Sequence, residues 1–262
     1  MIIDTHAHID GEQYLDDLDE VIKNAHENGV EGILIPGADI NDLARAQKIA
    51  HENDNIYFAA GIHPYHCEQY DEEILREFLK DEKCIAVGEC GLDYFRLPES
   101  KEEIKLEKAR QQEVLRLHVE LAKSVKKPLI VHIREANDDS RRILIDNDAA
   151  LVGGVLHCYN ASEHLLPLAQ HGFYFGIGGV LTFKNAKKLL EVLPKIPQEK
   201  LLIETDSPYL TPMPYRGKRN EPAYTRFVVE KMAEILQKEM SEVENLTTAN
   251  AKRLFKAFAK RN

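Results

Sequence analysis

The chain alternates between short apolar runs and longer amphipathic stretches, and this alternation limits the folds that it can adopt. Eight of the runs have the length and apolar character of a strand that is buried on both faces. They are Ile2–His8, Gly32–Gly37, Ile56–His63, Ile85–Glu89, Pro128–Ile133, Val152–His157, Phe173–Gly178 and Leu201–Asp206. Because parallel neighbouring strands need a crossover connection, eight strand–helix units predict a parallel sheet.

Helical patterns occupy most of the stretches between these runs. The predicted helices are Leu15–Asn28, Asn41–Asn53, Lys101–Lys126, Ser162–His171, Asn185–Leu193, Ala223–Lys238 and Val243–Ala259. The fold class that follows is α/β, and eight such units close naturally into a TIM (β/α)8 barrel. We expect residues 1–262 to form one domain, since barrels of this kind commonly contain about 250 residues. An open, doubly wound sheet is the alternative.

Charge and cysteine content restrict the class of protein. The net charge of −10 argues against a broad basic face for nucleic acid, although bound cations can reverse the sign locally at a small nuclease site. The four cysteines form no C-x-x-C pair, which is typical of a reducing cytosol. We find no signal peptide and no apolar run of membrane-spanning length. These features predict a cytoplasmic protein with no membrane contact and no obligate protein partner.

Ionisable residues recur at the ends of the predicted strands. In chain order they are His6, His8, His63, Glu89, His132, His157 and Asp206. The carboxyl ends of barrel strands meet at one mouth, so we expect these side chains to converge there. A single histidine at a strand end is more often a hydrogen-bonded structural residue. Burying so many ionisable groups without partners is costly, however, and a metal cluster removes that cost by making each group a ligand.

The spacing of His6 and His8 supports metal binding. Residues two apart on a strand point to the same face, so both imidazoles can bind one ion. Nitrogen and carboxylate ligands together favour divalent ions such as zinc or manganese, whereas magnesium prefers more oxygen ligands. The sequence leaves the identity of the metal open.

Six motifs follow one another along essentially the whole chain. They read Thr5-His6-Ala7-His8, Gly61-Ile62-His63-Pro64, Gly88-Glu89-Cys90-Gly91-Leu92-Asp93, Glu204-Thr205-Asp206-Ser207-Pro208, Arg216-Gly217-Lys218-Arg219-Asn220-Glu221-Pro222 and Thr248-Ala249-Asn250-Ala251-Lys252-Arg253-Leu254-Phe255. In this order they resemble the signatures of the TatD family of metal-dependent hydrolases. The resemblance implies a TIM barrel of the amidohydrolase group and, for many members, a DNase-type phosphodiesterase activity.

The same resemblance implies roles for individual residues. It implies that His6, His8 and Asp206 bind one of two divalent metals and that His132 and His157 bind the other. It also implies that Glu89 bridges both. One segment departs from the family pattern: many relatives carry a Phe-Ser-Gly type of sequence after the histidine that corresponds to His157, whereas Cys158-Tyr159-Asn160-Ala161 stands here. This difference concerns substrate preference rather than metal binding.

The reaction that we expect is attack of a metal-activated water on a phosphodiester of a transiently bound DNA substrate, with zinc, manganese or magnesium as the metal. A divalent ion lowers the pKa of a bound water toward ~7. Asp206 is the candidate to accept or orient the proton of this water, because it is a carboxylate among the ligands. Glu89 and His63 complete the predicted catalytic set.

Further residues near the predicted mouth suit substrate binding. His63 either donates to a phosphate oxygen or orients a ligand. Arg134 has the planar donor group that clamps phosphate, with a solvated arginine as the equal alternative. Glu204 faces the same side as Asp206, and we expect it to pair with Arg219. The basic loop Arg216-Gly217-Lys218-Arg219 either contacts a nucleic-acid backbone, with Arg219 as a predicted substrate-binding residue, or is a solvated run of charge. Asp93 and Tyr94 are expected to line the mouth, unless Asp93 serves a turn.

Two other functions are compatible with this pattern, and a third fits it poorly. The same metal cluster can hydrolyse an amide, ester or lactone, since a fold does not determine a substrate. A non-catalytic metal-binding scaffold is possible in principle, but degenerate barrels usually lose ligands and all six are present here. A three-metal phosphatase on another barrel that opens with His-x-His fits the Glu-Thr-Asp-Ser-Pro segment poorly.

Overall fold

The strands predicted from the apolar runs form one parallel sheet in chain order, in a computed structural model that describes residues 1–259. The strands are β1 (Ile2–Asp4), β2 (Val30–Ile35), β3 (Ile56–Ala60), β4 (Cys84–Asp93), β5 (Leu129–Arg134), β6 (Gly154–Leu156), β7 (Phe173–Ile177) and β8 (Leu201–Ile203). The predicted TIM barrel is confirmed, and the last three residues of the predicted domain lie outside the described part of the chain.

The barrel closes where β1 meets β8. Thr5 N donates a hydrogen bond to Ile203 O (3.0 Å), and His8 N donates to Ser207 O (2.8 Å). A parallel bridge between Ala7 and Ser207 continues this contact beyond the ends of both strands. The closure therefore runs through the segments that contain His6, His8 and Asp206.

Helices cover the outside of the sheet. They are α1 (Leu18–Glu27), α2 (Leu43–Glu52), α3 (Glu72–Leu79), α4 (Lys101–Val125), α5 (Asn137–Asp146), α6 (Lys187–Val192), α7 (Thr225–Leu236) and α8 (Met240–Leu254). The sequence analysis missed α3 and α5, which are short and rich in charged residues. The segment Glu163–His171, predicted as an α-helix, is a 3-10 helix containing Pro167, which has no N–H for the α-helical ladder. No helix in the described part of the chain is both long and apolar enough to span a membrane.

The buried apolar residues form two clusters. The smaller contains a residue of every strand, among them Ile3, Ala86 and Leu202, and it is completed by Phe255 and Phe258 beyond the last helix. The larger packs the outer sheet face against the helices. Because the carboxyl-terminal segment fills one end of the barrel, the other end, with the polar residues that follow the strands, is left for a site.

Candidate metal centre

His6 and His8 present their imidazoles to the same point, as their spacing predicts. Their Nε2 atoms lie 3.2 Å apart, and each lies 3.7 Å from Oδ1 of Asp206. Asp206 follows β8 with a φ of 57°, and its N–H donates to His6 O (2.9 Å). The junction of β1 and β8 therefore brings together residues that are 200 positions apart in the chain.

His132 and His157 form a second pair beside the first. His132 lies on β5 and His157 follows β6; His132 Nδ1 is 3.2 Å from His157 Nε2. Both nitrogens face Oε1 of Glu89, at 3.1 Å and 3.0 Å. The ring of His157 also stacks on that of His6, with centroids 3.8 Å apart. The two histidine pairs are thus in direct contact.

Glu89 lies between the two pairs. Its Oε2 is 3.3 Å from His6 Nε2 and 3.6 Å from His8 Nε2, while its Oε1 faces His132 and His157. The side chain is only 3% exposed. Burial opposes the charged form, yet the surrounding histidines hold the pKa of Glu89 well below its usual range. One carboxylate can therefore contribute an oxygen to each of two neighbouring ligand sets.

The chain packs closely around β4 to place Glu89. A side chain on Gly61 would lie 2.4 Å from Gly88, and one on Gly91 would lie 1.9 Å from the carbonyl oxygen of His132. Gly91 also has a φ of +148°, which residues with a side chain rarely adopt. Gly61, Gly88 and Gly91 therefore allow β4 to lie close to its neighbours around Glu89.

The chemistry of this donor set fits a divalent metal. Three overlapping groups of side chains could each hold an ion: His6, His8 and Asp206; His6, Glu89 and His157; and His63, Glu89 and His132. Burial lowers the pKa of His6 and of His8, which keeps both imidazoles in the neutral form that binds metals. Imidazole nitrogens packed 3.2 Å apart around carboxylate oxygens are suited to a shared cation.

Two carboxylates lie behind the cluster, and one of them is bonded to a cluster histidine. Asp93 Oδ2 is 2.9 Å from His132 Nε2, and its Oδ1 accepts a hydrogen bond from Phe95 N, so Asp93 serves the turn and the imidazole together. Glu204 Oε1 accepts from Cys158 N (2.5 Å) and lies 3.6 Å from His157 Nδ1. Such partners determine the tautomer and the orientation of metal-binding histidines.

Two predictions about Glu204 are wrong. With an exposure of 0%, its side chain does not reach the cleft, so it cannot contact substrate as expected. It also forms no ion pair with Arg219. The guanidinium of Arg219 instead pairs with Asp17 (2.6 Å) and Glu221 (3.2 Å) and donates to Gln13 O. Arg219 therefore joins the basic loop to the segment before α1.

The cluster lies at the bottom of a cleft of about 1010 Å³ at the barrel mouth. His8, His63, Glu89, His132, His157 and Asp206 all line it, as does Arg134. Arg216 and Lys218 lie outside this lining, over the rings of Phe183 and Tyr215. Of the cations predicted to contact substrate, Arg134 is thus the one that the structure places in the cleft, where it lies 3.6 Å over the ring of Phe95.

The protonation of His63 and of Asp206 bears on their roles. His63 Nδ1 accepts a hydrogen bond from Tyr65 N (3.1 Å), so its proton resides on Nε2, which faces Glu89 Oε1 at 3.6 Å. Burial lowers the pKa of His63 to about 3, so the ring is neutral. Burial raises the pKa of Asp206 to about 7. His63 is therefore a hydrogen-bond donor at the cleft rather than a free ligand.

Sequence reasoning did not identify Asp10 or Asp4. Asp10 lines the cleft and is 6% exposed. Asp4 is fully buried and accepts hydrogen bonds from His6 N, Thr205 N and Thr205 Oγ1 (2.7 Å for the last). It therefore joins the segment of His6 and His8 to the segment of Asp206. The available signal was an acidic residue two positions before and after the His6-x-His8 motif.

Comparison with known proteins gives a consistent result. Residues 3–256 match the family described as TatD related DNase. The chain is 44% identical to the uncharacterized metal-dependent hydrolase YabD of Bacillus subtilis, over 98% of this chain and 99% of that protein. It is 33% identical to the 3'-5' ssDNA/RNA exonuclease TatD of Escherichia coli, over 97% and 98%. The crystal structure of YJJV, a TatD homolog from Escherichia coli, superposes with a TM-score of 0.89 at 30% identity, covering 97% and 98%.

Proposed function

The chain belongs to the TatD family of metal-dependent hydrolases, and on that basis we propose that it is a phosphodiesterase that uses two divalent metals to remove nucleotides from the 3' end of single-stranded nucleic acid. The observation that carries the proposal is the position of Glu89 between two histidine pairs. The exonuclease named among the relatives supports the choice of substrate and of the strand end.

The residues divide into two ligand sets that share Glu89. His6, His8 and Asp206 form the first set, and His132 and His157 form the second. Two divalent ions held there would supply an activated water and stabilise charge on the attacking and leaving oxygens. Asp93 holds the imidazole of His132 in orientation, and the carboxylate of Glu204 lies 3.6 Å from Nδ1 of His157.

Asp206 accepts the proton of the attacking water. Its carboxylate lines the cleft, and its Oδ1 lies 3.7 Å from Nε2 of both His6 and His8, so it stands where a metal-activated water would be held. Its backbone contact with His6 keeps this carboxylate close to the first ligand set.

His63 and Arg134 orient the phosphate. The neutral His63 ring presents its Nε2–H to the region beside Glu89, where it donates to a phosphoryl oxygen. Arg134 lies across the Phe95 ring, and its guanidinium provides a second, charged donor. Neither residue acts as a base in this scheme.

A substrate panel with metal exchange tests the proposal. The purified protein is treated with a chelator and reloaded with zinc, manganese or magnesium. It is then assayed on a 5'-labelled single-stranded oligonucleotide, bis(p-nitrophenyl) phosphate, a lactone and an amide. We expect metal-dependent hydrolysis of the diesters with loss of 3'-terminal nucleotides. Faster turnover of the lactone or the amide would overturn the proposal in favour of those bonds, and bound metal without any turnover would favour a scaffold.

A matched pair of histidine variants controls for general effects of the substitution. His8→Gln removes a cluster ligand and should abolish metal-dependent turnover. His51→Gln changes an exposed histidine that pairs with Asp81 (2.8 Å) outside the cleft, and it should leave turnover unchanged. Equal activity of both variants would contradict the assignment of the cluster.

A further inference from the structure

The charges around the cleft are unevenly distributed. The segments after β1 and β2 contribute carboxylates to its wall, whereas the end of β5 and the segments after β4 and β7 contribute cations beside the carboxylate of Asp93. The acidic members are Asp10, Glu12, Asp39 and Asp42, and the basic members are Arg96, Arg134 and Lys188. In a barrel with eight strands in chain order, β5 lies opposite β1, so Arg134 lies across the mouth from Asp10. A substrate in this cleft therefore meets positive charge at one side and negative charge at the other.

The acidic side differs from an ordinary run of solvated carboxylates because one of its members, Asp10, is buried. It is 6% exposed, and its Oδ1 has no hydrogen-bond partner among the described residues. The nearest cation, Arg45, donates to Gly11 O (3.2 Å). Such an oxygen is costly to leave without a donor. It is enclosed in this structure, so a ligand in the cleft can supply the donor only as the carboxylate turns toward it.

The neighbours of Asp10 determine which ligand can do so. Asp39 already accepts from Asn41 and Gln69, whereas the exposed Asp42 lines the cleft and interacts electrostatically with Asp10. Burial raises the pKa of Asp10 to about 7, but Glu12, Asp39 and Asp42 against Arg45 still make this corner negative. It therefore accepts neutral or cationic donors such as sugar hydroxyls and repels phosphate groups, which carry up to two negative charges at neutral pH.

We propose that Asp10 and Asp42 form a subsite for the terminal nucleoside of the strand, hydrogen-bonded through its free 3'-hydroxyl, and that this subsite excludes strands with a 3'-phosphate. The inference rests on the proposed phosphodiesterase function. The phosphate to be cleaved lies over the metal cluster, and the chain that continues from it extends toward Arg134 and Arg96. The acidic side thus receives the strand end that lacks a phosphate.

Oligonucleotides that differ only at their 3' end test the subsite. Otherwise identical 5'-labelled strands ending in a 3'-hydroxyl, a 3'-phosphate or a 3'-deoxy sugar are digested by the metal-loaded protein. We expect the 3'-phosphate to lower kcat/KM by about tenfold or more, as like charges that meet at a binding site do. The 3'-deoxy end should lower it several-fold. Equal rates on all three ends would overturn the proposal.

Charge variants assign the effect to these residues. Asp10→Asn and Asp42→Asn should each narrow the preference for the hydroxyl end several-fold, while Asp16→Asn, which removes an exposed charge outside the cleft lining, should not. Should Asp10→Asn fold poorly, the exposed Asp42 still provides the test. An unchanged preference in Asp42→Asn would then count against the subsite.

The two proposals can fail separately. If neither bis(p-nitrophenyl) phosphate nor DNA is hydrolysed with any metal, the proposed function is wrong. The subsite is then measured by fluorescence anisotropy with the same labelled strands. Tighter binding of the hydroxyl end than of the phosphate end, reduced by Asp42→Asn, would support the subsite alone. Equal binding of both ends, or no binding, would overturn it.

Discussion

The carboxylate of Asp93 lies 2.9 Å from Nε2 of His132, while Nδ1 of the same ring faces Glu89 at 3.1 Å. The imidazole is thus held from both sides. Burial opposes protonation of the ring, but its bonds to Asp93 and Glu89 raise the pKa of His132 above its ordinary value. An outer carboxylate in this position increases the basicity of a metal-binding histidine.

Loss of this outer carboxylate should weaken metal binding. We expect Asp93→Ala to lower metal affinity by about 10–100-fold, the usual effect of removing such a partner. Asp93→Asn, which can still accept from Phe95 N, should preserve the turn but not the charge. Isothermal titration calorimetry with the metal measures the affinity of both variants. A metal affinity of Asp93→Ala equal to that of the wild type would show that His132 needs no partner.

Removal of the proposed base should abolish turnover without unfolding the chain. Asp206→Asn keeps the size of the side chain and the backbone bond to His6, so thermal stability should change little. The rate of diester hydrolysis should fall by roughly 10²–10⁴-fold. Metal content is determined on the same sample. A variant that retains metal and wild-type turnover would contradict the role of Asp206.

Stability should depend on pH through His118. This buried ring accepts a hydrogen bond from Ile62 N (3.0 Å) and donates through Nδ1 to Val114 O (2.8 Å), so folding needs its neutral form. Burial lowers its pKa from 6.5 to about 4. The unfolded chain therefore binds more protons between these values. The stabilisation is complete above pH 6.5 and is lost as the pH falls toward 4.

Urea denaturation of the wild type and of His118→Gln at pH 7 and pH 5 measures this contribution. The wild type should lose on the order of 2 kcal/mol more than the variant between these values. The difference between the two proteins isolates His118, because the remaining titrating groups are common to both. Parallel losses in the two proteins would contradict a neutral, buried His118.

Two glycines with positive φ should respond differently to alanine. Gly91→Ala places a methyl group 1.9 Å from His132 O, whereas the space around Gly29 holds no atom within 4 Å. We expect a loss of about 3 kcal/mol or more for Gly91→Ala, with weaker metal binding through a displaced His132. Gly29→Ala should cost about 1 kcal/mol from backbone strain alone. Comparable unfolding curves for the two variants would refute the close approach of the strands.

Arg134 should contribute to the salt dependence of nucleic-acid binding. Arg134→Gln removes one cation from the cleft wall, so the slope of log affinity against log salt should fall by about 0.7 for a single strand. The double variant Arg216→Gln, Lys218→Gln tests the basic loop in the same anisotropy assay. If the loop contacts the nucleic-acid backbone, this double variant should bind more weakly and show a flatter salt slope. An unchanged slope would assign the phosphate contact to the cleft wall alone.

The sequence alone determined the barrel and the composition of its cluster. Strand runs and helix faces are repeats over a few residues, so they can be recognised locally, and in a closed parallel sheet the ends of the strands meet at one mouth. That is why His6, Glu89, His132 and Asp206 could be assigned to one site before any contact was known. Helix α3 was missed because its eight residues make only about two turns, although Leu75 and Leu79 recur on one buried face.

The tertiary structure decided which side chains stand next to one another around that cluster. Arg219 pairs with Asp17, 202 positions away, and Glu204 bonds to Cys158 N, 46 positions away, where sequence reasoning paired the two with each other. Hydrogen-bond partners depend on distances of about 3 Å, and neighbouring loops bring several acids and bases within reach of each other. Only the folded barrel places Asp10 in the wall of the cleft, and the pairing of β4 with β5 brings Asp93 to His132.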